Sequence, residues 1–346
     1  MTSLVRYFSA IALLVELTPA AFARPKPIPV KVVVVAMFEV GNDTGDQPGE
    51  LQFWVERDHL DRVFPLAAAY HPVRMNGDGE MAVLTGQGTA HAAATIMALG
   101  LDPRFDLTHA YWLIAGIAGG SPDRVSLGSA AWARYVVDGD LGYEIDPRET
   151  PSDWTTGYVP LRKMRPFEPP ATPLDGQVYA LNVPLAEWAF NLTRSIPLAD
   201  TDRLREIRTH FDGASAQRPP FVTLGDEISS STYWHGKLFD EWAAEWVPYF
   251  TGGKGVFATT AMEDTGTAAI APQSRGRRPG RLSARPGPAH GKQLRPPAGR
   301  HVRRRLACQP AHRQVLGLSA LARSRLHHRP RRGRRDTIAV ANIQAG

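Results

Sequence analysis

Residues 29–43 read PVKVVVVAMFEVGND, and this stretch decides the fold class. The run from Val30 to Met37 is almost wholly apolar, and polar residues follow it at once. A strand that is apolar on both faces fits the centre of a sheet that helices cover on each side. We therefore predict a buried central strand with a polar carboxyl end.

Strand and helix patterns alternate along the rest of the body. The apolar runs MAVLTGQG (81–88) and YWLIAGIAGG (111–120) end in glycines, and TAHAAATIMALGL (89–101) reads as a helix with Thr89 as its N-cap. Repeated β-then-α units predict a mostly parallel sheet with right-handed crossovers. The remaining predictions are helices in ELQFWVERDHL (50–60), LAEWAFNLTR (185–194) and TYWHGKLFDEWAAEWVPYF (232–250), and strands in PPFVTLGDEI (219–228) and GVFATTAME (255–263).

Charge divides the chain into two unlike parts. Residues 271–346 hold 19 Lys and Arg and a single acid, Asp336, whereas residues 1–270 hold 21 bases and 33 acids. The basic isoelectric point therefore belongs to the tail, and the acidic body is poorly suited to phosphate backbones. The one cysteine of the chain, Cys308, lies in the tail, which excludes disulfides and cysteine-ligated metals from the body.

Three segments are predicted: an export signal at 1–23, an α/β domain at 24–270 and a basic low-complexity tail at 271–346. The first segment has one base, a short apolar run and an Ala-Phe-Ala site at 21–23, which is the layout of a cleaved secretory signal. The mature protein is thus expected to be exported, periplasmic or secreted, and soluble. The Pro- and Gly-rich residues 139–184 indicate a long loop over one end of the sheet.

The tail has two interpretations. One is a basic disordered arm that binds nucleic acid or a membrane. The other is a frameshift between Thr267 and Ser274, because shifting a reverse translation of residues 285–294 by one base gives VLVLRTASN, a strand with a polar exit. The same shift at residues 331–337 gives VVVDEI. We favour the frameshift, so the chain is expected to lack the strand and helix that should follow Thr267.

Four strings carry a resemblance to a known family: AMFEVGNDTGDQPGELQFWVER (36–57), GIAGGSPDRVSLGSAAWARYVVDGDLGYEIDPRE (116–149), GDEISSSTYWHG (225–236) and TTAMEDTGT (259–267). They resemble the bacterial purine nucleoside permease family, from about Val30 to Thr267. That family is itself similar to the nucleoside phosphorylase superfamily, which includes methylthioadenosine nucleosidase. The resemblance implies a three-layer αβα sandwich with a central mixed, mostly parallel sheet, here followed by a disordered basic tail.

The strand exits supply the candidate binding residues, because ligands of open α/β sheets bind at the carboxyl ends of strands. The resemblance implies that Glu263 holds the ribose hydroxyls while Met262 packs on the sugar, and a carboxylate can accept both hydrogens of a vicinal diol. Gly119 and Gly120 would let a ligand approach the backbone, or would form a plain tight turn. The other candidates are Glu39, Asn42 and Asp43 after the first strand, and Asp226, Tyr233 and Trp234 at a strand-to-helix junction, where the rings would stack on a purine or begin the core face of the helix.

Binding and uptake of purine nucleosides is the function that the resemblance implies. The general acid of the superfamily falls on an Asn in the restored reading frame, which favours binding over cleavage, and no catalytic residue is assigned. The alternative is a hydrolase or phosphorylase that cleaves the N-glycosidic bond. No cofactor, metal or nucleic-acid partner is expected, and an inner-membrane transport protein is the predicted partner, since no apolar run after the signal is long enough to span a bilayer.

Overall fold

The computed structural model describes residues 25–271 and 337–343. The strands are β1 (Ile28–Pro29), β2 (Val32–Ala36), β3 (Arg62–Phe64), β4 (Val73–Met75), β5 (Glu80–Leu84), β6 (Phe105–Asp106), β7 (Tyr111–Gly120), β8 (Ala130–Ala133), β9 (Tyr135–Asp138), β10 (Gly142–Glu144), β11 (Tyr158–Pro160), β12 (Val178–Ala180), β13 (Val222–Leu224), β14 (Asp226–Ser229), β15 (Phe257–Ala261) and β16 (Thr337–Ile343). The helices are α1 (Gln52–Arg57), α2 (Thr89–Leu101), α3 (Val183–Thr193), α4 (Asp202–Arg208), α5 (Lys237–Thr251) and α6 (Asp264–Ile270).

The valines of β2 face two different cores. Val33 and Val35 pack in a core that includes residues of α2 and α6. Val32 and Val34 point to the opposite face, where they pack with residues of α1 and α3. Because side chains alternate along a strand, an apolar residue at every position requires helices on both faces of the sheet. The expected central strand and the αβα layering are therefore confirmed.

Twelve strands of the described residues form one sheet in the order β12-β9-β14-β15-β7-β2-β5-β4-β3, with β16, β8 and β13 branching from β7. β2 is parallel to β5 and β7, and β14 is parallel to β9 and β15. The two parallel blocks meet in antiparallel orientation, since Thr259 and Thr260 of β15 pair with Gly120 and Gly119 of β7. The predicted mixed sheet is confirmed, and the carboxyl ends of β2 and β15 approach the middle of β7 from opposite directions.

Two long strands are each interrupted at one residue. β8 and β9 are separated by Arg134, and β13 and β14 by Gly225, where a Cβ atom would lie 2.2 Å from the Cβ of Ala258. Each half pairs with different neighbours: β13 pairs with β8, whereas β14 pairs with β9 and β15. The interruption lets β14 leave the branch that contains β8 and join the block that ends at the middle of β7.

The carboxylate of Asp226 joins the strands at this interruption. Its Oδ1 accepts the backbone N–H groups of Arg134 and Tyr135 at 2.9 and 3.0 Å. Its Oδ2 accepts the N–H of Val256 at 2.7 Å and the Arg134 guanidinium at 2.9 Å. The side chain is 0% exposed and begins β14. Asp226 was expected at the exit of its strand, and this placement is wrong because the strand starts only after the break at Gly225.

Helix starts differ from the sequence analysis at two glycines with positive φ. Gly88, at φ 88°, is the N-cap of α2, so Thr89 is the first helical residue and donates its hydroxyl to the carbonyl of Met262 instead. Gly236, at φ 114°, is the N-cap of α5, which therefore begins at Lys237 rather than near residue 232. Glycine adopts this backbone region without the strain a side chain would bring, so it fixes where each helix can begin.

Seven residues of the basic tail form β16, which lies between β7 and β8. It runs parallel to β7, from Thr337 beside Trp112 to Ile343 beside Ala118, and antiparallel to β8. The expectation that the chain lacks a strand after Thr267 is wrong for these residues, because TIAVANI is an uncharged run that the average composition of the tail conceals. The predicted export signal and the rest of the predicted disordered tail lie outside the described residues.

Replacing Asp226 with Asn should lower the free energy of unfolding by about 3–5 kcal/mol, because the partly buried Arg134 guanidinium loses its counter-charge and the buried backbone N–H groups lose a charged acceptor. Urea denaturation monitored by tryptophan fluorescence measures this. The control Glu206→Gln removes an exposed pair with Arg203 and should change the same free energy by less than about 1 kcal/mol. Similar small effects of both substitutions would show that Asp226 does not hold the interruption together.

Candidate functional site

Glu263 lies immediately after β15, where the carboxyl end of that strand meets the start of α2. Its Oε1 accepts the N–H of Gly88 at 2.9 Å, and its Oε2 accepts the N–H of Met262 at 3.2 Å. The side chain is 6% exposed. Burial raises the pKa of Glu263, and the two backbone N–H donors partly offset this. The carboxylate is thus oriented by the backbone while each oxygen keeps acceptor capacity.

Glu50 is a second buried carboxyl at the same place, and the sequence analysis did not single it out. Its Oε1 accepts the N–H of Ile117 in β7 at 2.7 Å, and its Oε2 accepts the N–H of Met37 after β2 at 2.7 Å. Burial, partly offset by these donors and reinforced by the charge of Glu263, raises the pKa of Glu50 to about 8. At the start of a predicted helix, a glutamate looks like an ordinary end-of-helix acid, so the sequence held no signal for its burial.

Glu227 and Asp264 complete the group. Glu227 lies on β14, Asp264 begins α6, and the two carboxyls hydrogen-bond each other. Burial, followed by the charges of Asp264 and Glu263, raises the pKa of Glu227 well above its ordinary value, and burial and Glu263 raise the pKa of Asp264 to about 7. Both stand next to candidates from the sequence: Glu227 follows Asp226 in GDEI, and Asp264 follows Glu263 in MEDT. We call Glu50, Glu227, Glu263 and Asp264 the carboxyl cluster.

Met37 also reaches the site, through the absence of a side chain on β7. A Cβ atom on Gly116 would lie 2.9 Å from both the Sδ and the Cε of Met37 and 3.3 Å from Oε1 of Glu50. A side chain there would displace the methionine or the carboxylate, since contacts under 3.0 Å require one group to move. Gly116 therefore allows Met37 and Glu50 to pack against the middle of β7.

The candidates after β2 have partners that organise the loop following that strand. The carboxylate of Glu39 accepts backbone N–H groups of Gly49, Leu51 and Gln52 at the start of α1. Asn42 binds the carboxylate of Asp46 through both its backbone and side-chain nitrogens, in an exposed turn. These contacts fix the loop that carries Glu50 into the core.

Asp43 connects the same loop to the β3–β4 hairpin, which the sequence analysis did not predict. Its Oδ2 accepts from Nε of Arg74 at 2.7 Å, and its Oδ1 lies 3.1 Å from Nε2 of His71. The residue is 9% exposed. Its pairing with β4 explains how the end of the loop is held, and its binding role stays a prediction.

The candidate glycines lie within a strand, and the two candidate aromatic residues differ in exposure. Gly119 and Gly120 are paired within β7, and a Cβ on Gly119 would lie 2.7 Å from Cγ2 of Thr260. They allow close packing of two strands, so the alternative of a tight turn is wrong, and their approach to a ligand stays a prediction. Trp234 packs among the aromatic rings of Phe239, Trp242 and Phe257, whereas Tyr233 is 64% exposed.

Comparison with known proteins shows which family the chain belongs to. The profile of a family described as purine nucleoside permease matches residues 29–277, which is most of the chain. The chain belongs to the purine nucleoside permease family. All four members of the carboxyl cluster lie inside the matched range.

Two curated relatives of this permease family member are fungal. A probable purine nucleoside permease of Schizosaccharomyces pombe is 35% identical over 188 residues, which cover 52% of this chain and 54% of that protein. A purine nucleoside permease of Candida albicans is 31% identical over 192 residues, which cover 54% of this chain and 47% of that protein. The chain thus spans about half the length of the curated relatives it matches.

Two solved structures with a similar chain path are named as a hydrolase and a nucleosidase. Futalosine hydrolase of Helicobacter pylori is 14% identical with a TM-score of 0.42, over 71% of this chain and 83% of that one. The 5'-methylthioadenosine/S-adenosylhomocysteine nucleosidase of Neisseria meningitidis is 16% identical with a TM-score of 0.40, over 70% of this chain and 80% of that one. The fold of the permease family member is established by its own strands and cores.

The described ranges contain neither a helix that could cross a bilayer nor a cluster of metal ligands. Within residues 25–271 and 337–343, no helix combines the length and apolar character that crossing a bilayer requires. In these same ranges, no three His, Cys, Asp or Glu side chains are arranged to hold a metal ion.

The stability of the protein should fall as pH rises from about 4.5 to about 8, because Glu50 keeps its proton in the folded state at pH values where the unfolded chain has lost it. A raised folded pKa gives stability that is present below the unfolded pKa and lost through the folded one. Thermal unfolding at several pH values measures the slope. Glu50→Gln should destabilise most at low pH and flatten the slope, whereas the exposed Glu187→Gln should leave it unchanged; equal slopes in all three proteins would contradict this.

Proposed function

We propose that this chain binds purine nucleosides through Glu263 and takes part in their uptake. The observation that carries the proposal is the orientation of a buried carboxylate at the carboxyl ends of β15 and β5 by two backbone N–H groups. Each oxygen can accept one further hydrogen, so the two together suit the two hydroxyls of a ribose. The names of the fungal relatives support a purine nucleoside as the ligand.

The charge of the site favours an uncharged ligand. Four carboxyls lie close enough that Glu263 raises the pKa of each of the other three. In the described part of the chain, no Lys or Arg forms an ion pair with any of them. A phosphate would be repelled by the anionic members, whereas hydroxyl groups would be attracted as donors. We therefore expect nucleosides to bind and nucleotides to be excluded.

Uptake needs a route across a membrane, and we propose that a separate inner-membrane transport protein provides it. The chain would bind the nucleoside outside that membrane, as a periplasmic or secreted protein after removal of residues 1–23. This role is consistent with the described helices, which are too short or too polar to span a bilayer. Sequencing the mature N-terminus checks the cleavage, and an N-terminus at Met1 would contradict it.

For the tail we propose that a frameshift enters between Thr267 and Ser274, within a family of bacterial proteins. The match to the family profile ends at residue 277, near the proposed entry point. The pairing of β16 with β7 and β8 shows in addition that one uncharged part of the tail takes a place in the sheet. The nucleotide sequence at codons 267–274, compared with a close relative, would reveal or exclude an inserted or deleted base.

Substituting Glu263 should weaken nucleoside binding selectively. Glu263→Gln removes the charge and one acceptor, so the affinity for adenosine should fall by about 10–100-fold, as expected for hydrogen bonds to a charged group. Isothermal titration calorimetry on the full chain measures it. The exposed Glu245→Gln on α5 serves as the matched control and should bind like the unaltered protein.

Removing the ribose hydroxyls from the ligand tests the same contact with Glu263. Unaltered protein should bind adenosine but bind 2′,3′-dideoxyadenosine about 10–100-fold more weakly, and Glu263→Gln should show a much smaller difference between the two ligands. Undiminished binding of the dideoxy compound, or unchanged affinity in Glu263→Gln, would show that the ribose does not sit on this carboxylate.

A second candidate function is hydrolysis of the N-glycosidic bond, and Glu50 is the observation that favours it. A buried carboxyl whose pKa is raised to about 8 is protonated at neutral pH and lies beside Glu263. Such a group has the properties of a general acid or base. The anionic surroundings favour water over phosphate as the acceptor of the sugar, because phosphate carries like charge.

Incubation with inosine and chromatography of the products separates the two candidates. Hydrolysis would release hypoxanthine at equal rates with and without phosphate, and Glu50→Gln would slow the release by about 100-fold or more. The Glu187→Gln protein is the control. Calorimetric binding of inosine without any free base would leave binding and uptake as the function.

A further inference from the structure

The contact between Glu227 and Asp264 contains a proton. Neither carboxylate has a hydrogen to donate when ionised, so a hydrogen bond between the two groups requires one of them to be protonated. Both are nearly inaccessible to water, with Glu227 1% and Asp264 3% exposed. Two like charges held together in a water-free site cannot both ionise at ordinary pH. One proton shared by the pair is therefore part of the structure.

The pair does not act as a structural clamp. Asp226, the residue before Glu227, satisfies both its oxygens with four donors. By contrast, Oε1 of Glu227 and Oδ2 of Asp264 are buried and have no hydrogen-bond partner among the described residues. An unpaired buried oxygen costs about 1–3 kcal/mol, so a purely structural role would favour apolar side chains at these positions.

Titratable groups on the neighbouring elements do not supply a positive charge to the pair. Glu263 follows β15 and raises the pKa of both members. The other titratable groups on the elements packed against β14 and α6 include His91 on α2, Asp138 on β9, Tyr179 on β12, and Asp240 and Lys237 on α5. None of these groups contributes to the pKa shift of Glu227 or Asp264. The charge of the pair is thus balanced by a proton rather than by a cationic side chain.

We propose that Glu227 and Asp264 form a proton site that is coupled to nucleoside binding, so that one proton is bound together with the nucleoside on Glu263. This rests on the proposed function. Ribose hydroxyls that donate to Glu263 stabilise its anion and displace water from it. The anion then acts more strongly on the adjacent pair and increases the affinity of the pair for its proton. Because such coupling is reciprocal, a protonated pair also binds the nucleoside more tightly.

The expected pH profile of affinity has two limbs. At low pH, protonation of Glu263 removes an acceptor for the ribose, and its pKa is raised, so affinity should increase as pH rises through it. At higher pH the pair loses its proton, its second negative charge opposes an anionic Glu263, and affinity should decrease. The site would therefore hold a nucleoside best near neutral pH and release it as the medium becomes alkaline.

Calorimetric titration of the full chain with adenosine tests the coupling. Adenosine stays uncharged across the range from about pH 5.5 to about pH 8.5, so changes in affinity report the protein. In the unaltered protein, the affinity should fall by up to about tenfold per pH unit on the alkaline side, which is the limit for one linked proton. Titrations in two buffers with different ionisation enthalpies should show net proton uptake there.

Two variants and one control assign the effect to the pair. Glu227→Gln and Asp264→Asn keep a hydrogen bond between the side chains but cannot exchange the proton, so the alkaline limb and the proton uptake should disappear. Glu80→Gln is the control, because burial raises the pKa of Glu80 to about 7 as well but the residue begins β5, at the opposite end of the strand from the site. It should keep the profile of the unaltered protein.

The possible results distinguish this inference from the proposed function. Adenosine binding with a flat alkaline limb and no proton uptake in the unaltered protein would overturn the coupling and leave nucleoside binding intact. Absence of adenosine binding at every pH would overturn both. A measurement without ligand is also possible. The infrared carbonyl band of a protonated buried carboxyl should be present at neutral pH, and it should be reduced in Glu227→Gln but not in the exposed-site variant Glu187→Gln. Absence of this band from the unaltered protein would exclude the shared proton.

Discussion

The bidentate arrangement around Asp226 is the contact on which the position of the site depends. Its two oxygens accept hydrogen bonds from backbone N–H groups at the β8–β9 junction and before β15, and from the Arg134 guanidinium. All of these contacts lie at the point where Gly225 divides β13 from β14. This contact, together with the pairing of β14 with β9 and β15, fixes the direction of the second half of each divided strand. With it, β14 and β15 run beside each other, so that Glu227 on β14 and Glu263 after β15 come to the same part of the sheet.

The carboxyl cluster is held together by geometry against its own electrostatics. Desolvation is the largest influence on each member, and the charge of Glu263 adds to it at the other three. Backbone N–H donors offset the effect at Glu50 and Glu263, which therefore have fixed orientations, but not at Glu227 or Asp264. The cluster thus contains two kinds of acid: two that accept backbone N–H groups, and two that contact each other without backbone donors.

The local sequence pattern predicted most of the fold, because a strand that is buried on both faces has apolar residues at nearly every position. The valines of β2 and the run from Tyr111 to Gly120 were located almost to the residue. The interruption at Gly225 was missed because a glycine inside an apolar run does not reveal that the two halves pair with different strands. Glu50, Glu227 and Asp264 were missed for a similar reason, since distant strands decide whether an acid lies in the core. Asp226 beside Glu227, and Glu263 beside Asp264, were equally acidic in sequence.

A site made of carboxyls constrains its ligand more strongly than it constrains the chemistry. Anions are repelled, and cations would need a set of fixed oxygen ligands that the described residues do not provide. An uncharged molecule with several hydroxyl donors meets both conditions, because it adds no charge and can donate to the oxygens of Glu263, each of which accepts only one backbone N–H. A nucleoside has this character, and a nucleotide does not. The proposed binding role requires an ionised Glu263, whereas cleavage would require another group of the cluster to transfer a proton, so the protonation state of Glu50 in the bound complex decides between the two proposed functions.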